Sequence, residues 1–134
     1  MNELGTGARV LVVDDDDDLR AAMAFCLRRA GFAVAAVATG AEAIDAAQAH
    51  RPEVAVVDLL LPDAGGPGLA DVLRKVGGLE ALPVLFTTAL AAQPVLAALP
   101  GADVLFKPFT RDELVDRVAR LVATTSDDAR RQSF

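Results

Sequence analysis

Residues 10–20 read VLVVDDDDDLR: four apolar residues, five consecutive aspartates, then the first leucine of a helical stripe. A short Val-rich run with no polar alternation is how a strand reads when both of its faces are covered. The form recurs at residues 54–62, VAVVDLLLP, where a second apolar run ends on Asp58. Outward from these two lie three more such runs, Val34 to Val37, Val84 to Phe86 and Val104 to Phe106. The intervening segments carry helical spacing. Leu19, Met23, Cys26, Leu27 and Ala30 share one stripe, closed by Gly31. Thr39 is placed to cap a helix through about His50, with Ile44 and Ala47 facing inward. Leu69, Val72, Leu73 and Val76 form a third stripe ended by Gly77 and Gly78. Leu114, Val118, Leu121 and Val122 form the last, opened by a Thr110–Glu113 capping box. Ala91 to Leu99 is interrupted by Pro94, so the helix expected there is short. Five alternations of strand and helix predict an α/β fold, a doubly wound five-stranded parallel sheet with helices on both faces.

The 134 residues suffice for one domain with a core of its own. We expect an extension over residues 1–7, the domain over 8–124, and a disordered tail over 125–134, where apolar periodicity ceases. Thirteen basic against nineteen acidic residues give a net charge of −6, which argues against a nucleic-acid-binding face and for contact with cations. A single cysteine, Cys26, excludes a disulfide framework and a cysteine-based zinc site. The first ten residues lack the pattern of a signal peptide, and no apolar stretch approaches the ~18 residues of a membrane span. A cytoplasmic protein with no membrane contact is expected.

In an open parallel sheet, ligands bind beyond the carboxyl ends of the strands, where the strand order reverses. The polar residues of this chain fall there. Asp14 and Asp15 follow strand one, Asp58 strand three, Thr88 strand four and Lys107 strand five. With the order 2-1-3-4-5, strands one and three are neighbours and three carboxylates converge. Two like charges ~4 Å apart repel by roughly 4 kcal/mol at an effective dielectric near 20, so the cluster calls for a counter-charge. Mg²⁺ suits a site of few protein oxygens plus a phosphoryl group. An aspartate beside such an ion can act as nucleophile towards phosphorus, with Thr88 donating to one phosphoryl oxygen and Lys107 neutralising another.

VLVVDDDDDLR, VAVVDLLLP, VLFTTA and FKPF resemble, in order and spacing, the receiver domain of bacterial two-component response regulators, over roughly Ala8 to Ala123. The resemblance implies a flavodoxin-like receiver fold of the CheY type, here with a shortened fourth helix. It implies that Asp58 is the phosphoacceptor and that Mg²⁺ is held by Asp14, Asp15, Asp58 and the backbone carbonyl of Leu60. It further implies that Thr88 is the switch hydroxyl, that Lys107 contacts the phosphoryl group, and that the Lys107–Pro108 bond is cis. The phosphodonor would be a phosphohistidine of a sensor histidine kinase or histidine phosphotransfer protein. The output would be contact with a downstream protein or phosphorelay, from a stand-alone receiver without nucleic-acid binding, as a monomer or a phosphorylation-linked dimer.

Three positions depart from the family pattern. Val104 stands where the switch aromatic is usual, three residues before the lysine. Leu60 and Leu90 stand two residues past Asp58 and Thr88, where side chains often position the hydrolytic water; leucines there predict slow self-dephosphorylation. Plainer roles compete at some residues. Asp17 and Asp18 suit the first turn of a helix, and Asp16 is divided between that role and a water-mediated one at the metal. Thr87, beside Thr88, reads as a strand residue, and His50, the lone histidine, as a helix-end residue. A degenerate receiver serving as a constitutive docking module is one alternative. An aspartyl-nucleophile phosphohydrolase of the haloacid dehalogenase type is another, and it would need an aspartate where Leu60 stands.

Overall fold

The computed structural model describes residues 7–63, 65–89 and 102–132. Five strands, β1 (Arg9–Val13), β2 (Ala33–Val37), β3 (Val54–Asp58), β4 (Val84–Thr88) and β5 (Asp103–Phe106), form one sheet in the order β2-β1-β3-β4-β5. Every pairing is parallel. The described helices are α1 (Asp17–Arg29), α2 (Gly40–His50), α3 (Gly66–Arg74) and α4 (Arg111–Gln132). The short helix expected over Ala91 to Leu99, with Pro94 and Leu90, lies outside the described residues. No described helix is long and apolar enough to cross a membrane.

Alternate strand residues feed two separate cores, which is why the apolar runs show no polar alternation. Leu11, Val13, Ala55, Val57, Val84 and Phe86 pack under α2 and α3 against Ala43, Ala47, Leu69 and Leu73. Val10, Val12, Val54, Val56, Leu85 and Leu105 pack on the other face against Met23 and Leu27 of α1 and Leu114 and Val118 of α4. β3 and β4 are buried along their whole length, whereas the edge strands β2 and β5 are only partly covered. Arg117 of α4 donates to the Val104 carbonyl at 3.0 Å and braces the β5 edge.

Local chemistry sets the helix ends. Asp16 caps α1, its carboxylate accepting the Leu19 N–H at 3.0 Å, with Asp17 and Asp18 in the first turn. Asp16 is thereby engaged as a cap. Gly31 supplies the left-handed residue after α1, at φ +99°. Thr39 caps α2 by accepting the Glu42 N–H. Thr110 and Glu113 exchange bonds of 2.9 and 3.1 Å in the expected capping box of α4.

Two expectations need correction. The third helix ends at Arg74, so Val76 lies beyond it, and Val72 is exposed while Ala70 joins Leu69 and Leu73 in the core. The inward face is therefore 69, 70, 73, turned about the helix axis relative to the four-residue stripe. The backbone also stays helical to Gln132, past the residue-124 boundary expected for the ordered domain. Residues 125–132 contain neither Gly nor Pro, so nothing in the chain stops the helix there.

Candidate functional site

The carboxyl ends of β1, β3 and β5 meet at one crevice. β1 delivers Asp14 into full burial, with Asp15 following it into solvent. β3 ends on Asp58, which is 7% exposed. One carboxylate oxygen each from Asp14, Asp15 and Asp58 lies within 4.8 Å of the others. From β5, Lys107 extends its ammonium to Asp14 Oδ2 and Asp58 Oδ2, both at 3.3 Å. The cis Lys107–Pro108 bond follows directly.

The two acids that Lys107 touches each have a backbone donor as well. The Asp16 N–H donates to Asp14 Oδ1 at 2.9 Å, and the Leu60 N–H donates to Asp58 Oδ1 at 3.1 Å. Burial pushes the Asp14 carboxyl above its ordinary pKa, against the lowering effects of the Asp16 N–H and Lys107. Burial opposes the Lys107 ammonium too, but the attraction of Asp14 and then Asp58 outweighs it and raises its pKa above the usual lysine value.

Three acids face one ammonium, so negative charge remains in excess. Carboxylates 4.8 Å apart repel by about 3 kcal/mol at an effective dielectric of ~20. A donor set of carboxylate oxygens, with an exposed edge at Asp15, fits a hard divalent cation better than a thiophilic one. Leu60, two residues past Asp58, is 54% exposed.

Thr88 closes β4 but is not bonded into this cluster. Its hydroxyl donates to the neighbouring Ala89 carbonyl at 3.2 Å, and its own carbonyl accepts the Lys107 N–H at 2.7 Å. The residue opposite Asp58 in the β3–β4 register is Thr87. Thr87 is fully buried, and its hydroxyl is the unpartnered buried side-chain polar atom among the described residues. Val104, at the position of the missing aromatic, packs against the core on the α2–α3 face. Phe106, two residues on and level with Thr88, is 42% exposed.

Three contributors were not singled out from the sequence. Arg20 donates to the Asp14 carbonyl at 2.9 Å and pairs with Asp17 at 2.6 Å, holding the backbone that carries Asp14. Asp63 accepts from the N–H groups of Gly40 and Ala41 at the start of α2. Gly66 presses against the end of β3: a Cβ there would meet Leu59 Cα at 2.7 Å and the Asp58 carbonyl oxygen at 2.8 Å. The GGPG run at residues 65–68 marks a tight start to α3, but no local pattern reveals what it touches.

Comparison with known proteins gives a consistent answer. The family model of the response regulator receiver domain matches residues 10–119. The transcriptional regulatory protein PrrA of Mycobacterium tuberculosis is 39% identical over 118 residues, covering 87% of this chain and 51% of that one. The DNA-binding response regulator MtrA of Mycolicibacterium smegmatis is 36% identical over 123 residues, covering 90% and 53%. The chain thus spans about half the length of these relatives. Among solved structures, the Francisella response regulator 1452 receiver domain superimposes with a TM-score of 0.75 at 30% identity, covering 89% of this chain and 99% of that one. The chemotaxis protein CheY4 of Vibrio cholerae does so with a TM-score of 0.75 at 27% identity, covering 86% and 98%.

Proposed function

Because this chain belongs to the response regulator receiver domain family, we propose that it accepts a phosphoryl group on Asp58 from a phosphohistidine of a sensor kinase or phosphotransfer protein. The observation that carries this is the three-carboxylate cluster with Lys107 bridging two of its members at 3.3 Å. Asp58 is the member best placed as nucleophile, since it ends the central strand β3 at the crevice and remains slightly open to it. A carboxylate oxygen of Asp58 forms the new bond to phosphorus while the phosphorus–nitrogen bond to the donor imidazole breaks. The electron pair of that bond stays on the imidazole nitrogen. The Leu60 N–H on Asp58 Oδ1 fixes the carboxylate plane, which limits its rotation before attack. Lys107 stands beside Asp58 Oδ2, ready to neutralise charge on the arriving group.

Asp14, Asp15, Asp58 and the Leu60 carbonyl would hold Mg²⁺. When bound, it supplies positive charge to the oxygens of the transferring group. Thr88 is the hydroxyl we assign to the phosphoryl group after transfer, which requires it to leave the Ala89 carbonyl. Signalling then proceeds through protein contact or onward relay. DNA binding is the named property of MtrA, a longer protein, and is not part of this proposal.

The decisive experiment is phosphate incorporation from acetyl phosphate with and without Mg²⁺, on the wild type and Asp58→Ala. Labelling that needs Mg²⁺ and vanishes in the variant is expected. No labelling under conditions that modify a control receiver would favour a constitutive docking module. The exposed Leu60 side chain offers no hydrogen bond to an attacking water, so slow loss of the phosphoryl group is expected. Leu60→Asn should shorten its lifetime, and an unchanged half-life would remove this part of the proposal.

A further inference from the structure

The β3–α3 loop, which carries the Leu60 carbonyl, is held from two sides. On one side Gly66 lies against the Asp58–Leu59 backbone, and its N–H donates to the Leu59 carbonyl at 2.9 Å. On the other, the loop reaches across to α2. Both oxygens of Asp63 accept the Gly40 N–H, at 3.1 and 3.0 Å, and Oδ2 also lies 3.4 Å from the Ala41 nitrogen.

α2 does not depend on this for its own cap. Thr39 Oγ1 accepts the Glu42 N–H at 3.1 Å, and Glu42 reaches back to the Ala38 N–H at 3.2 Å. Asp63 takes two N–H groups that the local cap leaves open. A carboxylate is favoured there by both the free donors and the helix dipole. The contact therefore joins two loops more than twenty residues apart, at the crevice end of the sheet.

Leu59 and Leu61 are buried in the α2–α3 core, while Leu60 faces out with its N–H on Asp58 Oδ1. Core packing thus sets how deep the loop sits. The exposed turn after Leu61 is closed by the Gly65 N–H on the Leu61 carbonyl at 3.1 Å, and Asp63 is the side chain that ties that turn to α2.

We propose that Asp63 is a positioning residue for cation binding: by tying the β3–α3 loop to the start of α2, it fixes the Leu60 carbonyl beside Asp58. This rests on the functional reading above, which assigns that carbonyl to Mg²⁺. Asp63 touches neither the cation nor the phosphoryl group in this scheme.

The test is Mg²⁺ titration by calorimetry on the full chain, comparing the wild type with Asp63→Ala, Asp63→Asn and Thr39→Ala. Thr39→Ala removes a cap from α2 without untying the loop, so it reports what weakening that helix does alone. Asp63→Ala should weaken Mg²⁺ binding by about tenfold, the low end of the loss when an outer-shell partner of a metal site is removed. Asp63→Asn keeps an acceptor oxygen and should recover most of the affinity. Thr39→Ala should lower the melting temperature and leave Mg²⁺ affinity unchanged. Amide exchange at Gly40 and Ala41 should accelerate in Asp63→Ala. Equal losses in Asp63→Ala and Thr39→Ala, or no loss in Asp63→Ala, would overturn the proposal while the functional reading stood. If Asp63→Ala does not fold, Asp63→Asn against Thr39→Ala makes the same comparison with a smaller expected loss. A wild type that binds no Mg²⁺ would defeat the functional reading itself, and this proposal with it.

Discussion

Replacing Lys107 by Met removes the ammonium that faces Asp14 and Asp58 and keeps most of the aliphatic stem. At an effective dielectric of ~20, each 3.3 Å contact is worth about 5 kcal/mol in gross attraction. Most of that is offset by the cost of desolvating the charges. Breaking a buried pair by removing one partner typically costs about 3–5 kcal/mol, because the other charge is left buried alone. Asp14 is fully buried, but Lys107 is 24% exposed, and solvent there screens part of the interaction. We therefore expect Lys107→Met to lose about 2–3 kcal/mol without divalent cations, which for a chain of this size is roughly 6–12 °C in melting temperature. Saturating Mg²⁺ should restore most of that loss, because the cation supplies the missing charge and stabilises the folded state by mass action. Urea or thermal melts in chelator and in Mg²⁺ measure both quantities. A variant as stable as the wild type in chelator, or one whose deficit is the same with and without Mg²⁺, would refute the electrostatic account of the site.

Two further outcomes follow from packing. Gly66→Ala places a methyl group 2.7 Å from Leu59 Cα and 2.8 Å from the Asp58 carbonyl oxygen, both backbone atoms that cannot swing aside. It should destabilise by about 1–3 kcal/mol and also reduce phosphate incorporation, since the strain falls on the acceptor strand; unchanged urea midpoint and labelling would contradict this. Thr87→Val replaces a fully buried, unpartnered hydroxyl with a methyl of similar shape. It should raise stability by about 1 kcal/mol, and a loss of similar size in denaturant melts would mean that the hydroxyl has a partner in solution.

The fold was legible because its strands are short apolar runs, and because such runs alternating with helical stripes admit one architecture. The charged site was legible for a related reason. Asp14 and Lys107 each follow immediately on a strand and Asp58 ends one, so the sheet order alone brings them to one edge. Capping was readable where it is local, as at Thr39 and in the Thr110–Glu113 box. The illegible parts depend on contacts distant in sequence. Asp63 reads as an ordinary loop residue until α2 is placed beside it, and Gly66 as an ordinary helix-start glycine until the Asp58–Leu59 backbone is. Neighbouring threonines point to opposite faces, and only the pairing shows that Thr87 lies opposite Asp58.

Register also explains why Lys107 links more of the site than its charge alone suggests. Its backbone N–H is bonded to the Thr88 carbonyl at 2.7 Å, and its ammonium reaches the ends of β1 and β3. One residue therefore joins the crevice ends of β1, β3 and β4 to β5. Any change in charge at Asp58 acts on the ammonium directly, and on the Thr88 backbone through a single intervening side chain. Val104 sits lower on β5, packed against the core, and has no hydroxyl or ring to register that change. Phe106 is the large side chain on β5 that is level with Thr88 and open to solvent. The physical link between the acceptor and the β4–β5 edge in this chain is thus a lysine and its own peptide N–H, which is why the Lys107 variant is the most informative one to make.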